Sequence, residues 1–104
     1  MASSKAYLEY VLEQLSGIPE IKHRAMMGEY IIYYRGKIVG GIYDDRFLVK
    51  NIKAAVDKMP DADLELPYEG VKKMLLVDDV DNKEFLRDLL EAMYYELPEP
   101  KKKK

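Results

Sequence analysis

Cysteine and tryptophan are absent from this 104-residue chain, and histidine occurs once. Without thiols there is neither a disulfide nor a thiolate ligand for a metal, so nothing calls for an oxidising compartment and the expected location is the cytoplasm. Long apolar runs are missing too. The uncharged stretch Tyr30 to Tyr34 is far shorter than the ~20 residues a membrane-spanning helix needs, and Met1-Ala2-Ser3-Ser4-Lys5 lacks the apolar segment of a secretory leader. A soluble protein with no membrane partner is the expectation. Reactive chemistry is equally thin: no nucleophile elbow occurs, and the glycines at 36, 40 and 41 neither open a helix nor precede the Lys-Ser or Lys-Thr of a phosphate loop. His23, between Lys22 and Arg24 on an early strand, could serve as a base, but a satisfied or exposed histidine is the expected reading.

What is present is a chain with 48% hydrophobic residues, enough for one core and too short for two. A single domain over residues 1–97 is expected, followed by a disordered Pro/Lys tail over residues 98–104 that cannot bury apolar area. The net charge of −2 hides an uneven distribution: residues 51–100 carry 6 Lys and Arg against 13 Asp and Glu, and the last four residues are all lysine. Phosphate-tracking surfaces need clustered cations, so the acidic second half makes direct nucleic-acid binding unlikely.

Apolar spacing at Tyr7, Leu8, Val11, Leu12 and Leu15 predicts a first helix, capped by Ser3 or Ser4 and ended by a left-handed Gly17 before Ile18-Pro19. A short extended piece around 21–26 follows, then strands over 29–34, 37–43 and 46–50, with tight turns at Arg35-Gly36 and Asp44-Asp45. In the 29–34 strand Tyr30, Ile32 and Tyr34 share one face and Ile31 and Tyr33 the other, so both faces call for cover. Gly40-Gly41 inside the next strand predicts a bulge or a close backbone approach. Asn51 should cap a second helix that Pro60 stops. Two more strands are read at 64–66 and 74–77, joined through a turn at 67–70. Asp81, with Glu84 three residues on and Val80 against Phe85, should start a last helix whose stripe is Phe85, Leu86, Leu89, Leu90, Met93 and Leu97. The order is α-β-β-β-β-α-β-β-α: an α+β fold, an antiparallel meander sheet with the terminal helices packed on it.

Other clusters have plain structural readings. Asp78-Asp79-Val80-Asp81-Asn82 gathers oxygen ligands but lacks the glycine and spaced glutamate of a calcium loop, and no metal or other cofactor is expected. Nine tyrosines against two phenylalanines are more suggestive, because an apolar body with a polar tip suits half-buried surfaces and protein interfaces.

The run Arg24-Ala25-Met26-Met27-Gly28-Glu29-Tyr30-Ile31-Ile32-Tyr33-Tyr34-Arg35-Gly36-Lys37 resembles the central motif of the TfoX/Sxy N-terminal domain, from bacterial proteins linked to competence for DNA uptake. The matching positions are Arg24, Met26, Gly28, Tyr30, Tyr33, Gly36 and Lys37, and Lys50 closes the following strand in the family manner; Met27 stands where phenylalanine is commoner. The resemblance implies a fold similar to secretion-chaperone-like domains, no enzymatic activity, and a stand-alone N-terminal module without the helical C-terminal domain of the competence regulators. The function expected is a regulatory or protein-interaction module, binding a protein partner or itself. The alternative is a small anion-binding protein or enzyme with a pocket near Arg24, Tyr30 and Lys50.

Overall fold

A computed structural model describes residues 4–26, 28–66, 72–77 and 80–97. The expected turn at 67–70, Asp78-Asp79 and the residue 98–104 tail lie outside them. The elements run α1 (Lys5–Gln14), β1 (Ile21–Met26), β2 (Glu29–Tyr34), β3 (Lys37–Ile42), β4 (Phe47–Val49), α2 (Lys53–Lys58), β5 (Leu64–Glu65), β6 (Met74–Leu76) and α3 (Lys83–Tyr94). The α+β class and the element order are those read from the sequence. The strands form one antiparallel sheet in the order β1-β2-β3-β4-β6-β5, so the meander holds through β4 and then β6 inserts between β4 and β5.

Two two-residue hairpins fix the register. Arg35 and Gly36 take φ of 52° and 83°, and Asp44 and Asp45 take 53° and 57°, the paired positive φ of turns that match the twist of adjoining strands. Tyr43 and Arg46 exchange both backbone hydrogen bonds across the second turn, at 2.9 and 3.0 Å. Aspartate tolerates this region better than bulkier residues, and here each turn residue is also used. Asp45 Oδ1 accepts from Ser4 N at 2.8 Å and from Ser4 Oγ at 3.2 Å, and Glu29 Oε1 accepts from Asp44 N at 3.2 Å. The hairpin tip is thus tied to the start of α1 and the start of β2.

Both halves of the Gly40-Gly41 expectation are met. Ile32 pairs with Gly40 while Tyr33 pairs with Ile38, which leaves Val39 as an extra residue, a bulge. A Cβ on Gly40 would sit 2.0 Å from the Leu48 carbonyl oxygen and 2.7 Å from Val49 Cα, so only glycine lets β4 come this near.

The helix ends correct three expectations. Ser4 caps α1 as read, its Oγ accepting from Tyr7 N. Gly17, however, is not left-handed; Leu15 N turns back to Val11 and Leu12, Ile18 N bonds to Leu15 O, and the positive φ falls at Glu20. Burial of Ile18 holds that tighter exit in place. The α2 cap position is Ile52, not Asn51, and has no side-chain bond. Glu96, from beyond α3, accepts from Ala54 N in its stead, so a distant carboxylate satisfies what a local asparagine was expected to. Asn82 rather than Asp81 caps α3, accepting from Phe85 N at 3.0 Å; both residue types can do this, and the choice shifts the helix start by one.

Leu8, Val11 and Leu15 of the first helical segment, Ala55 of α2, and Leu86, Leu89, Leu90 and Met93 of α3 join Ile32, Tyr34, Val39, Ile42, Phe47, Val49 and Leu75 in one core. Every sheet residue in that list stands on one face of the sheet. All three helices therefore cover the same side.

Candidate functional site

Strand register assigns the opposite face. Lys22, Arg24 and Met26 of β1 stand across from Tyr33, Ile31 and Glu29 of β2; Ile38 and Gly41 of β3 continue these rows, and Leu48 of β4 faces Leu76 of β6. Among the described residues no helix lies over this side. Yet its centre is apolar: Leu48 and Tyr43 are buried but stand outside the main core cluster, Ile31 and Tyr33 are half-buried, and Met26 and Ile38 are 36% and 37% exposed. The Tyr43 ring lies over Gly41, where a Cβ would come within 2.8 Å of it. Cations rim the face. Lys22 and Arg24 are exposed on β1, Lys50 is half-buried just after β4, and Arg46 is held by Glu65 Oε1 at 2.8 Å and by the Leu66 carbonyl at 3.0 Å.

The positions singled out from the sequence divide into three groups, with Tyr30 apart from all of them. Gly28 and Gly36 sit in turns with φ of 85° and 83°; their role is backbone conformation. Lys37 is turned inward and only 6% exposed. Its Nζ donates to the Tyr94 carbonyl at 3.1 Å and lies 4.1 Å from the centroid of the Tyr94 ring, so it neutralises the carbonyl end of α3 while resting on an aromatic face. Beside it the Arg35 guanidinium is 5.3 Å from both the Tyr34 and Tyr94 rings, in a cavity of about 190 Å³ lined by Tyr34, Arg35, Glu91, Tyr94 and Tyr95. This cluster fastens the β2–β3 turn to the last helix.

Arg24, Met26 and Tyr33 form the third group, on the open face by strand register, and Lys50 follows directly on β4. Tyr30 does not join them. It shares the covered side with Ile32 and Tyr34, packs against the core, and meets His23 edge to face at 6.4 Å between centroids. Arg24 and Lys50 are separated by three strand spacings, about 14 Å. The geometry thus builds no shared anion pocket from Arg24, Tyr30 and Lys50. Residues that the sequence reading passed over, Lys22, Ile31, Ile38 and Leu48, belong to the face as much as those it chose. The register starts at Met26 opposite Glu29, which puts Arg24 opposite Ile31, but the bulge at Val39 reverses the parity along β3, so that Ile38 and Gly41 share this face, which simple alternation does not reveal.

Among the described residues no cluster of three metal-binding side chains is present, and no helix is long and apolar enough to cross a membrane. The Tyr7 phenol is raised above its ordinary range chiefly by burial, with Tyr10 and Asp45 adding to it and a hydrogen bond at the Phe47 backbone opposing.

Comparison with known proteins agrees with the motif. A curated relative from Spirochaeta aurantia, described as an uncharacterized 12.7 kDa protein in the trpE 5' region, is 31% identical over 105 residues, covering 100% of this chain and 91% of the relative. No solved structure matches. The family model for the TfoX N-terminal domain matches residues 13–100, most of the chain and all of the sheet just described, and the protein therefore belongs to the TfoX N-terminal domain family.

Proposed function

We propose that this protein is a non-enzymatic, cytoplasmic bacterial module that works by binding another protein through the open face of its sheet. The observation that carries the reading is the contrast between that face's apolar centre and its lack of a covering helix among the described residues. A patch of Ile31, Tyr33, Ile38 and Met26 ringed by Lys22, Arg24 and Lys50 has the make-up of a recognition surface, apolar and aromatic within and charged at the rim. The regulatory side of the proposal follows the family's link to competence for DNA uptake, by analogy with proteins that share this domain. The anion-pocket alternative draws no support from the placement of Tyr30 away from Arg24 and Lys50.

A capture experiment with site-directed variants tests the reading. Proteins retained from a bacterial lysate by the wild type are compared with those retained by Ile38→Asp, on the face, and by Tyr95→Ser, an exposed aromatic remote from it. A partner released by the first variant and kept by the second supports the proposal. Identical retention by all three, or nothing specific retained by the wild type, overturns it.

A further inference from the structure

Strand β1 forms one edge of the sheet, and five of its six residues are exposed. The Glu20 carbonyl accepts from Arg35 N at 3.0 Å, in register with the β1–β2 ladder. In an antiparallel pair the hydrogen-bonding groups alternate in direction, so the peptide groups of Lys22, Arg24 and Met26 turn toward β2. Those of Ile21, His23 and Ala25 turn away from the sheet, and among the described residues none of them has a backbone partner on that side. Three donors and three acceptors in a row are a template for one more strand. Natural proteins blunt such an edge by keeping it short or by placing charged side chains on it; β1 carries Lys22 and Arg24 but is not short. β5, at the opposite edge, has two residues; β1 has six.

Charge selects the occupant. Lys22 and Arg24 project on the open face two residues apart, and neither has an ion pair among the described residues. A second copy pairing β1 against β1 would bring these cations together, whereas acidic side chains two residues apart on an added strand would stand directly opposite them, about 5 Å away between Cβ atoms. On the other face the added strand's alternate side chains would meet Ile21, His23 and Ala25, two apolar positions either side of an imidazole that packs edge to face on Tyr30, which favours apolar or small residues at the flanking positions. We propose that the β1 edge binds an extended acidic segment of a partner protein by strand addition, with acidic residues alternating with apolar ones along it. This deepens the interaction reading above and rests on it: backbone bonds supply the grip and the Lys22/Arg24 pair sets the sequence preference.

The test uses the full chain with eight-residue peptides alternating glutamate and valine, in unmodified form and N-methylated in each of the two alternate sets of amides. Methylation removes a backbone donor without changing charge. Binding should weaken at least tenfold when one set is methylated and little when the other is. Lys22→Glu/Arg24→Glu should also cost tenfold or more, and hydrogen exchange at the amides of Ile21, His23 and Ala25 should slow at least tenfold on binding. Equal tolerance of both methylated sets would reduce the contact to surface charge and overturn the proposal. So would no binding at millimolar peptide, or protection of the same three amides by dimerisation of the protein alone. If the peptide fails while Ile38→Asp still releases a captured partner, the edge proposal falls and the face reading stands; if both fail, both fall.

Discussion

The two sides of this sheet are built from much the same residue types and end in different states. Along β2, Tyr30, Ile32 and Tyr34 look toward the helices and Ile31 and Tyr33 look away, and nothing in those five residues says which set belongs inside. The decision comes from their neighbours. On the helix side Val39, Ile42, Phe47, Val49 and Leu75 extend a layer that Leu86, Leu89, Leu90 and Met93 can cover. On the other side glycine, a cation or a carboxylate interrupts each row. An apolar strand face is therefore core or surface according to what the adjacent strands offer beside it, and the open face keeps its apolar character with no helix among the described residues to account for it.

The largest effects that sharpen this contrast belong to the covered side. Phe47→Ala, at a fully buried site, should cost about 3–5 kcal/mol in denaturant unfolding. Gly40→Ala forces a methyl group against the β4 backbone and should cost roughly 3 kcal/mol or more. Gly36→Ala, whose added Cβ meets nothing within 4 Å, should cost only the left-handed penalty of about 1–2 kcal/mol. Equal losses at the two glycines would mean that β3 and β4 are not held as closely as described. Lys37→Met keeps most of the buried volume but removes the bond to the Tyr94 carbonyl and the charge over its ring, for a loss of about 1–2 kcal/mol. No loss would place the α3 terminus free of the β2–β3 turn.

The smallest effect concerns pH. Because the Tyr7 phenol is raised in the fold above its value near 10 in an unfolded chain, its contribution is complete below that pH and is lost as pH rises through the folded value. The difference in stability between wild type and Tyr7→Phe should therefore be flat at neutral pH and should change above about pH 10, with the wild type losing more. A parallel pair of curves through that range would contradict the assignment.

Much of this architecture was legible because its turns are chemically marked. Arg35-Gly36 and Asp44-Asp45 allow positive φ where two strands must meet, and the Gly40-Gly41 pair pointed to a bulge or a close approach, of which the strand carries both. Helix starts were legible only when the capping side chain was local, as at Ser4. The α2 start escaped because its carboxylate comes from Glu96, 42 residues away, which no local pattern encodes. The inward turn of Lys37 escaped for the same reason: a lysine after a glycine turn reads as solvated until the end of α3 is brought over it. On the open face, Arg24 and Lys50 were recognisable as cations beside aromatic strands, but grouping them with Tyr30 ignored strand parity.

Ile38 and Val39 are consecutive in β3, the first 37% exposed on the open face and the second 0% exposed in the core. Chemical denaturation of Ile38→Asp and Val39→Asp puts the two-sided account to its most direct test. The account predicts that Ile38→Asp stays folded with a loss of about 1–2 kcal/mol, from strand propensity and partial burial, while Val39→Asp, with an unpaired charge in the core, fails to fold or loses most of its stability. Comparable losses at both positions, or the greater loss at Ile38, would contradict it.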